Sequence, residues 1–160
     1  VSSTAERELR TIARGNDPDV KLAHPVPEDP WLVLRAAGSL GAVDLILARH
    51  NRVLLLEVKS TGKTLADGSA VYDMTASAGR GLEQRDILTT LATEHELSPG
   101  VFEIGFAIRR KGRLPAGMPR WTWHPRPRIH DKTRLHARDA APLLPHIHSP
   151  GFCCPEGEHT

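Results

Sequence analysis

Asp44, Glu57 and Lys59 stand inside an otherwise apolar stretch, GAVDLILARHNRVLLLEVKST, at residues 41–61. The pattern reads as two strands, near 42–49 and 52–60, around a two-residue turn at His50 and Asn51. In that register Arg49 faces Arg52, and counting outward brings Asp44 opposite Glu57. Side chains so opposed have β carbons roughly 4.5–5.5 Å apart, a separation at which like charges repel. Lys59 projects from the same face, whose remainder, Ile46, Ala48, Val53 and Leu55, is apolar. Two carboxylates held together at the end of a buried surface need a shared proton, a lysine or a cation. An oxygen-rich cluster beside an ammonium group suits a hard divalent ion and a phosphodiester, with an ion-held water as nucleophile. Lys59 would then orient that water or stabilise charge developing on the scissile phosphate. The plainer alternative is an ordinary Asp44–Lys59 ion pair with Glu57 capping the strand end, because a D…ExK string arises by chance in many proteins.

The elements that must position these residues are legible as periodicities. STAERELRTIAR at 3–14 places Ala5, Leu9, Ile12 and Ala13 on one helical stripe, and the helix is expected to end at Gly15. The proline- and acid-rich NDPDVKLAHPVPEDP that follows reads as a loop, and WLVLRAAGS as a strand closing in a small-residue turn. After the hairpin, residues 60–81 lack periodicity apart from a short strand or turn near Val71 and Tyr72. LEQRDILTTLATEHEL spaces Ile87, Leu88, Leu91 and Ala92 as a second helix. VFEIGFAIR alternates Phe102, Ile104, Phe106 and Ile108 as a half-buried strand, and RWTWHP repeats the period with Trp121 and Trp123 as a final one. Beyond it, a Pro- and His-rich stretch at 125–160 reads as a loosely packed tail. The order αβββαββ implies an α/β protein with a mixed central sheet flanked by helices, a single domain over 1–124 carrying that tail.

A chain of 160 residues can bury a core without staples. Its two cysteines, adjacent at Cys153 and Cys154, fit neither a zinc knuckle nor a disulfide framework, which favours a reduced intracellular protein. No apolar run approaches a membrane span and VSSTAERELR does not read as a signal peptide, so a soluble cytoplasmic protein is expected. A net charge of +2 does not mark a nucleic-acid binder. The distribution says more: arginine outnumbers lysine, and basic residues gather at Arg7, Arg10 and Arg14 and at Arg109, Arg110, Lys111 and Arg113. Guanidinium groups suit phosphate oxygens, although a solvated charged face explains the same composition.

Taken together, AERELR at 5–10, LRAAGS at 34–39, VDLIL at 43–47 and LLLEVKST at 54–61 resemble the archaeal-type Holliday junction resolvases of the PD-(D/E)XK nuclease superfamily. The resemblance runs from residue 3 to about 124 in the same element order, and implies a restriction-endonuclease-like core. It implies a homodimer that cuts four-way DNA junctions symmetrically with Mg²⁺, or Mn²⁺ in its place, leaving a 5′-phosphate and a 3′-hydroxyl. By position, Glu6, Asp44 and Glu57 match the metal ligands, Lys59 the catalytic lysine, and Ser39 a turn serine near the active site. Arg7 and Arg35 match arginines that handle DNA. The chain departs from the pattern in its longer segment between Glu6 and Arg35, in Val43 at the place of the superfamily's proline, and in the tail after His124. Similar enzymes occur in viruses and phages, a source compatible with this arginine- and alanine-rich composition.

Plainer readings accompany several of these residues. Ser3-Thr4-Ala5-Glu6 fits a capping box, in which Glu6 closes the helix start. Arg7 and Arg10 fit a solvated helix face as well as a DNA contact, and Lys63 and Arg80, candidate DNA contacts, fit exposed loop charge. The tail histidines with Cys153 and Cys154 match no zinc spacing. Trp121 and Trp123 have the alternation of core residues, against stacking on unpaired bases. Two other functions stay open: a repair or restriction-like endonuclease of the same superfamily, and a DNA-binding module of this fold without catalysis.

Overall fold

Ser3 starts the first helix. Its backbone is extended, and its Oγ accepts the Glu6 N–H at 3.1 Å, satisfying one of the donors that a helix start leaves open. Helix α1 (Thr4–Ala13) then buries Ala5, Leu9, Ile12 and Ala13, the stripe its spacing predicts. The structure, a computed structural model, describes residues 3–14, 30–35, 43–71, 84–98, 100–125 and 134–148.

Strands β1 (Leu32–Arg35), β2 (Leu45–Arg49) and β3 (Arg52–Thr61) form an antiparallel meander. His50 and Asn51, at φ 44° and 60°, both lie in the left-handed region, as the turn whose twist matches its flanking strands requires. Arg49 pairs with Arg52, and the ladder runs outward to Leu45 opposite Leu56 in the expected register. After β4 (Ala70–Val71) and helix α2 (Gln84–Glu94), strand β5 (Phe102–Arg110) lies parallel to β3, from Val53 beside Phe102 to Thr61 beside Arg110. Parallel neighbours need a crossover of this length. The chain continues through β6 (Trp121–Pro125), β7 (Arg134–Leu135), a 3₁₀ turn at Ala137–Asp139, β8 (Ala141–Pro142) and helix α3 (Leu143–His148). The main sheet has the order β1-β2-β3-β5-β6-β8, and β4 pairs with β7 apart from it.

One face of the sheet packs Leu45, Leu47, Leu54, Leu56 and Val58 with Trp31, Trp121 and Trp123 against α1 and α3. The opposite face gathers Leu55, Ile104, Phe106 and Ile108 with Leu88 of α2. The chain is therefore an α/β protein with a mixed sheet covered by helices, and β4, β7, β8 and α3 extend the expected order.

Two expectations are corrected here. β5 is not half-buried: Ile104 through Ile108 are all buried, because the strand is central and both of its faces are covered. Small residues at its alternate positions permit this. A β carbon on Gly105 would collide with the His124 carbonyl oxygen and lie 2.9 Å from Trp123 Cη2. Nor is the tail loose over residues 134–148. Leu143 and Ile147 of α3 are fully buried, each worth ~1.5–3 kcal/mol of transfer free energy. The last carbonyls of α3 are clamped from the hairpin end: Ile147 O accepts Trp31 Nε1 at 3.0 Å and Arg49 Nη2 at 2.7 Å, and His146 O accepts Arg52 Nη1 at 3.1 Å. Cations suit a helix C-terminus, and Arg49 also lies over the Trp31 ring at 4.4 Å.

Candidate active site

Asp44 lies one residue beyond the end of the β2 ladder and departs from its register. Its N–H donates to Leu56 O at 2.9 Å, and its Oδ2 accepts the Val58 N–H at 2.8 Å. The direct Asp44–Glu57 opposition read from the sequence thus gives way to a carboxylate folded over β3, a common way for Asp to compete for backbone donors. Glu57, 4 % exposed, sits in mid-strand, and Lys59 Nζ lies 2.7 Å from its Oε1. The plainer arrangement is not the observed one, since Lys59 pairs with Glu57 and Glu57 caps no strand end.

The electrostatics are those of two carboxylates short of solvent. Burial pushes the Glu57 carboxyl up from 4.5 to about 7; the Asp44 charge adds to the rise, and Lys59 restrains it. Burial also raises Asp44, against the pull of the Val58 amide; Glu6 raises it further, whereas Lys59 and Arg35 lower it. Glu6 of α1 therefore stands within charge reach of both carboxylates, and Arg35, on the neighbouring strand β1, within charge reach of Asp44.

Asp44 Oδ1 and Glu57 Oε2 have no partner among the described residues. Two free, hard oxygens on a pair that resists ionisation fit a divalent cation that takes one or two carboxylates and keeps its waters, as Mg²⁺ does. Among the described residues no three His, Cys, Asp or Glu side chains gather closely enough to hold a metal by themselves. Glu6 contributes negative charge to the pair.

The remaining candidates are dispersed. Glu6 lies in the first turn of α1; its N–H makes the Ser3 half of the capping box. Arg7 is exposed, its Nη2 3.5 Å from Thr4 Oγ1, and Arg10 is half-buried with an Nε that has no partner among the described residues. Arg35 ends β1 exposed to solvent, and Lys63 is exposed just past β3. Ser39 and Arg80 lie outside the described residues. The basic run at 109–113 does not form one surface. Arg109 is ion-paired to Glu8, Arg110 is buried, and only Lys111 and Arg113 are exposed. Burial of Arg110 was readable in principle, because it continues the 104, 106, 108 alternation.

The fold is resolvase-like. It is similar to that of Archaeoglobus fulgidus Hjc, a Holliday junction resolvase from an archaeal hyperthermophile, with a TM-score of 0.51 and 15 % identity, covering 91 % of this chain and 99 % of that one. At that identity the likeness is one of fold. No protein-family model and no curated protein sequence matches the chain.

Proposed function

We propose that the chain is a metal-dependent, structure-selective DNA endonuclease with a PD-(D/E)XK core, and that it resolves four-way junctions as a homodimer. The observation that carries the reading is the desolvated Asp44–Glu57 pair, with Lys59 2.7 Å from Glu57, at the open end of the hairpin in a resolvase-like fold. Asp44 and Glu57 would hold Mg²⁺, or Mn²⁺ in its place, with Glu6 adding negative charge. When bound, the ion supplies positive charge for the phosphate and makes a water acidic enough to act at neutral pH. Lys59 holds Glu57 in place and keeps a positive charge beside the scissile phosphate. Arg7, Arg10, Arg35 and Lys63 contact backbone phosphates, with Arg35 nearest in charge to Asp44. A two-fold dimer would set two such sites on opposed strands of a nearly two-fold junction.

The test is cleavage of a labelled four-way junction with Mg²⁺ by the native chain and by Asp44→Asn, beside flapped and linear duplex. Paired symmetric nicks confined to the junction and lost in the variant support the reading. Cutting of flap or duplex alone moves the assignment to a repair or restriction-like nuclease, and tight junction binding without cutting moves it to a DNA-binding module.

A further inference from the structure

Arg110 is a buried cation with no anion beside it among the described residues. It closes β5 on the same face as Phe106 and Ile108, and is 2 % exposed. Its Nη1 donates to Thr64 Oγ1 at 3.0 Å, and among the described residues its Nε has no partner and no carboxylate pairs with it. Guanidinium groups taken out of water are ordinarily compensated by an acid, because an unpaired buried charge is strongly unfavourable. Holding Thr64 alone does not explain the residue, since a neutral donor would do that without the desolvation.

The residue lines a cavity of about 380 Å³, within the size range of small-molecule sites. Strand register brings Thr122 and His124 of β6 to the same face, paired with Ile108 and Phe106. Thr122 is buried and lines the cavity, with Oγ1 3.0 Å from His124 Nε2; among the described residues the His124 Nδ1 has no partner. Burial keeps His124 uncharged down to about 4; the nearby Arg110 charge acts in the same direction and the Asp139 carboxylate against it. Asp67 also lines the cavity, but its carboxylate accepts the Ser69 N–H at 2.9 Å and does not pair with Arg110. The remaining wall is largely apolar and includes Met118, Pro119 and Pro142.

We propose that this cavity binds a small molecule bearing a phosphate or carboxylate group, its oxyanion compensating Arg110 and its apolar body lying against Met118, Pro119 and Pro142. Arginine is well suited to the anion, and where His124 Nε2–H donates to Thr122 Oγ1, the single hydroxyl hydrogen of Thr122 is left for the ligand as a further donor. The proposal is independent of the nuclease reading, and its test needs no DNA cleavage.

The full chain is melted with inorganic phosphate, deoxyadenosine 5′-monophosphate and benzoate in turn, and the arginine Nε–H resonances are followed by NMR. The nucleotide or benzoate is expected to raise Tm saturably and to move the Arg110 Nε–H signal. Arg110→Met should be at least as stable as the native chain without ligand, yet lose the ligand-induced rise. Arg110→Lys should bind roughly tenfold more weakly, having lost the planar fork. No rise with any of the three probes, or an equal rise in Arg110→Met, overturns the proposal. Equal stabilisation by inorganic phosphate and both organic anions overturns its apolar half. Should Arg110→Met fail to fold, an Arg110 Nε–H signal unmoved by nucleotide and by benzoate overturns it.

Discussion

Replacing Glu57 by Gln is expected to make the metal-free protein more stable above neutral pH. In the folded chain this carboxyl is raised from 4.5 to about 7, chiefly by burial and then by Asp44. Between those two values the folded state holds a proton that the unfolded state has released, so unfolding free energy falls as pH rises. At about 1.4 kcal/mol per pH unit, the destabilisation grows through that window to on the order of 3 kcal/mol and is then constant. Glutamine has the shape of the protonated acid, carries no charge to desolvate, and keeps an acceptor for the ammonium that lies 2.7 Å from Oε1. Urea unfolding of the two proteins without divalent ions, from about pH 5 to about pH 8, reads the difference directly. The gap should be small at the acid end, widen in favour of Glu57→Gln to roughly 3 kcal/mol at the alkaline end, and narrow when Mg²⁺ stabilises only the native chain. A gap that does not change with pH, or a native protein more stable than the variant at the alkaline end, would refute the reasoning that the pair is held against its own desolvation.

Gly105→Ala should leave little folded protein, because its β carbon would meet the His124 carbonyl and lie 2.9 Å from Trp123 Cη2 and 3.0 Å from Pro125 Cα in the sheet centre; circular dichroism and a thermal melt check this. Ile147→Ala should lower unfolding free energy by about 2–5 kcal/mol, since the side chain is fully buried, and a loss near zero would mean that α3 is not part of the core. Burial raises the Glu103 carboxyl, but hydrogen bonds from His146 and Arg52 outweigh it and hold it at about 2. A lowered carboxyl contributes stability that is present above 4.5 and lost as pH falls toward about 2, so Glu103→Gln should be less stable at neutral pH and show a shallower acid decline. Equal acid profiles in the two proteins would count against the Arg52–Glu103–His146 cluster.

What the sequence determined by itself is what repeats locally. The α1 stripe at Ala5, Leu9, Ile12 and Ala13 follows from a period of 3.6, and the hairpin register follows from His50-Asn51, a pair that tolerates positive φ. The same register marked Asp44, Glu57 and Lys59 as one polar group on an apolar face, before any fold was known. Tertiary structure decided how that group is wired. Asp44 leaves the ladder for the Val58 amide, and Lys59 goes to Glu57, because burial makes each carboxylate seek the nearest donor. Glu6 acts on the pair from α1, and Arg35 on Asp44 through the pairing of β1 with β2, neither of which the hairpin itself specifies. The packing of residues 134–148 was equally out of reach. Leu143 and Ile147 have helical spacing, but proline and histidine surround them, and the partners that bury and clamp them, Trp31, Arg49 and Arg52, lie about a hundred residues earlier. Periodicity reports which face of an element is apolar; what covers that face depends on surfaces from elsewhere in the chain, and these meet only in the folded molecule.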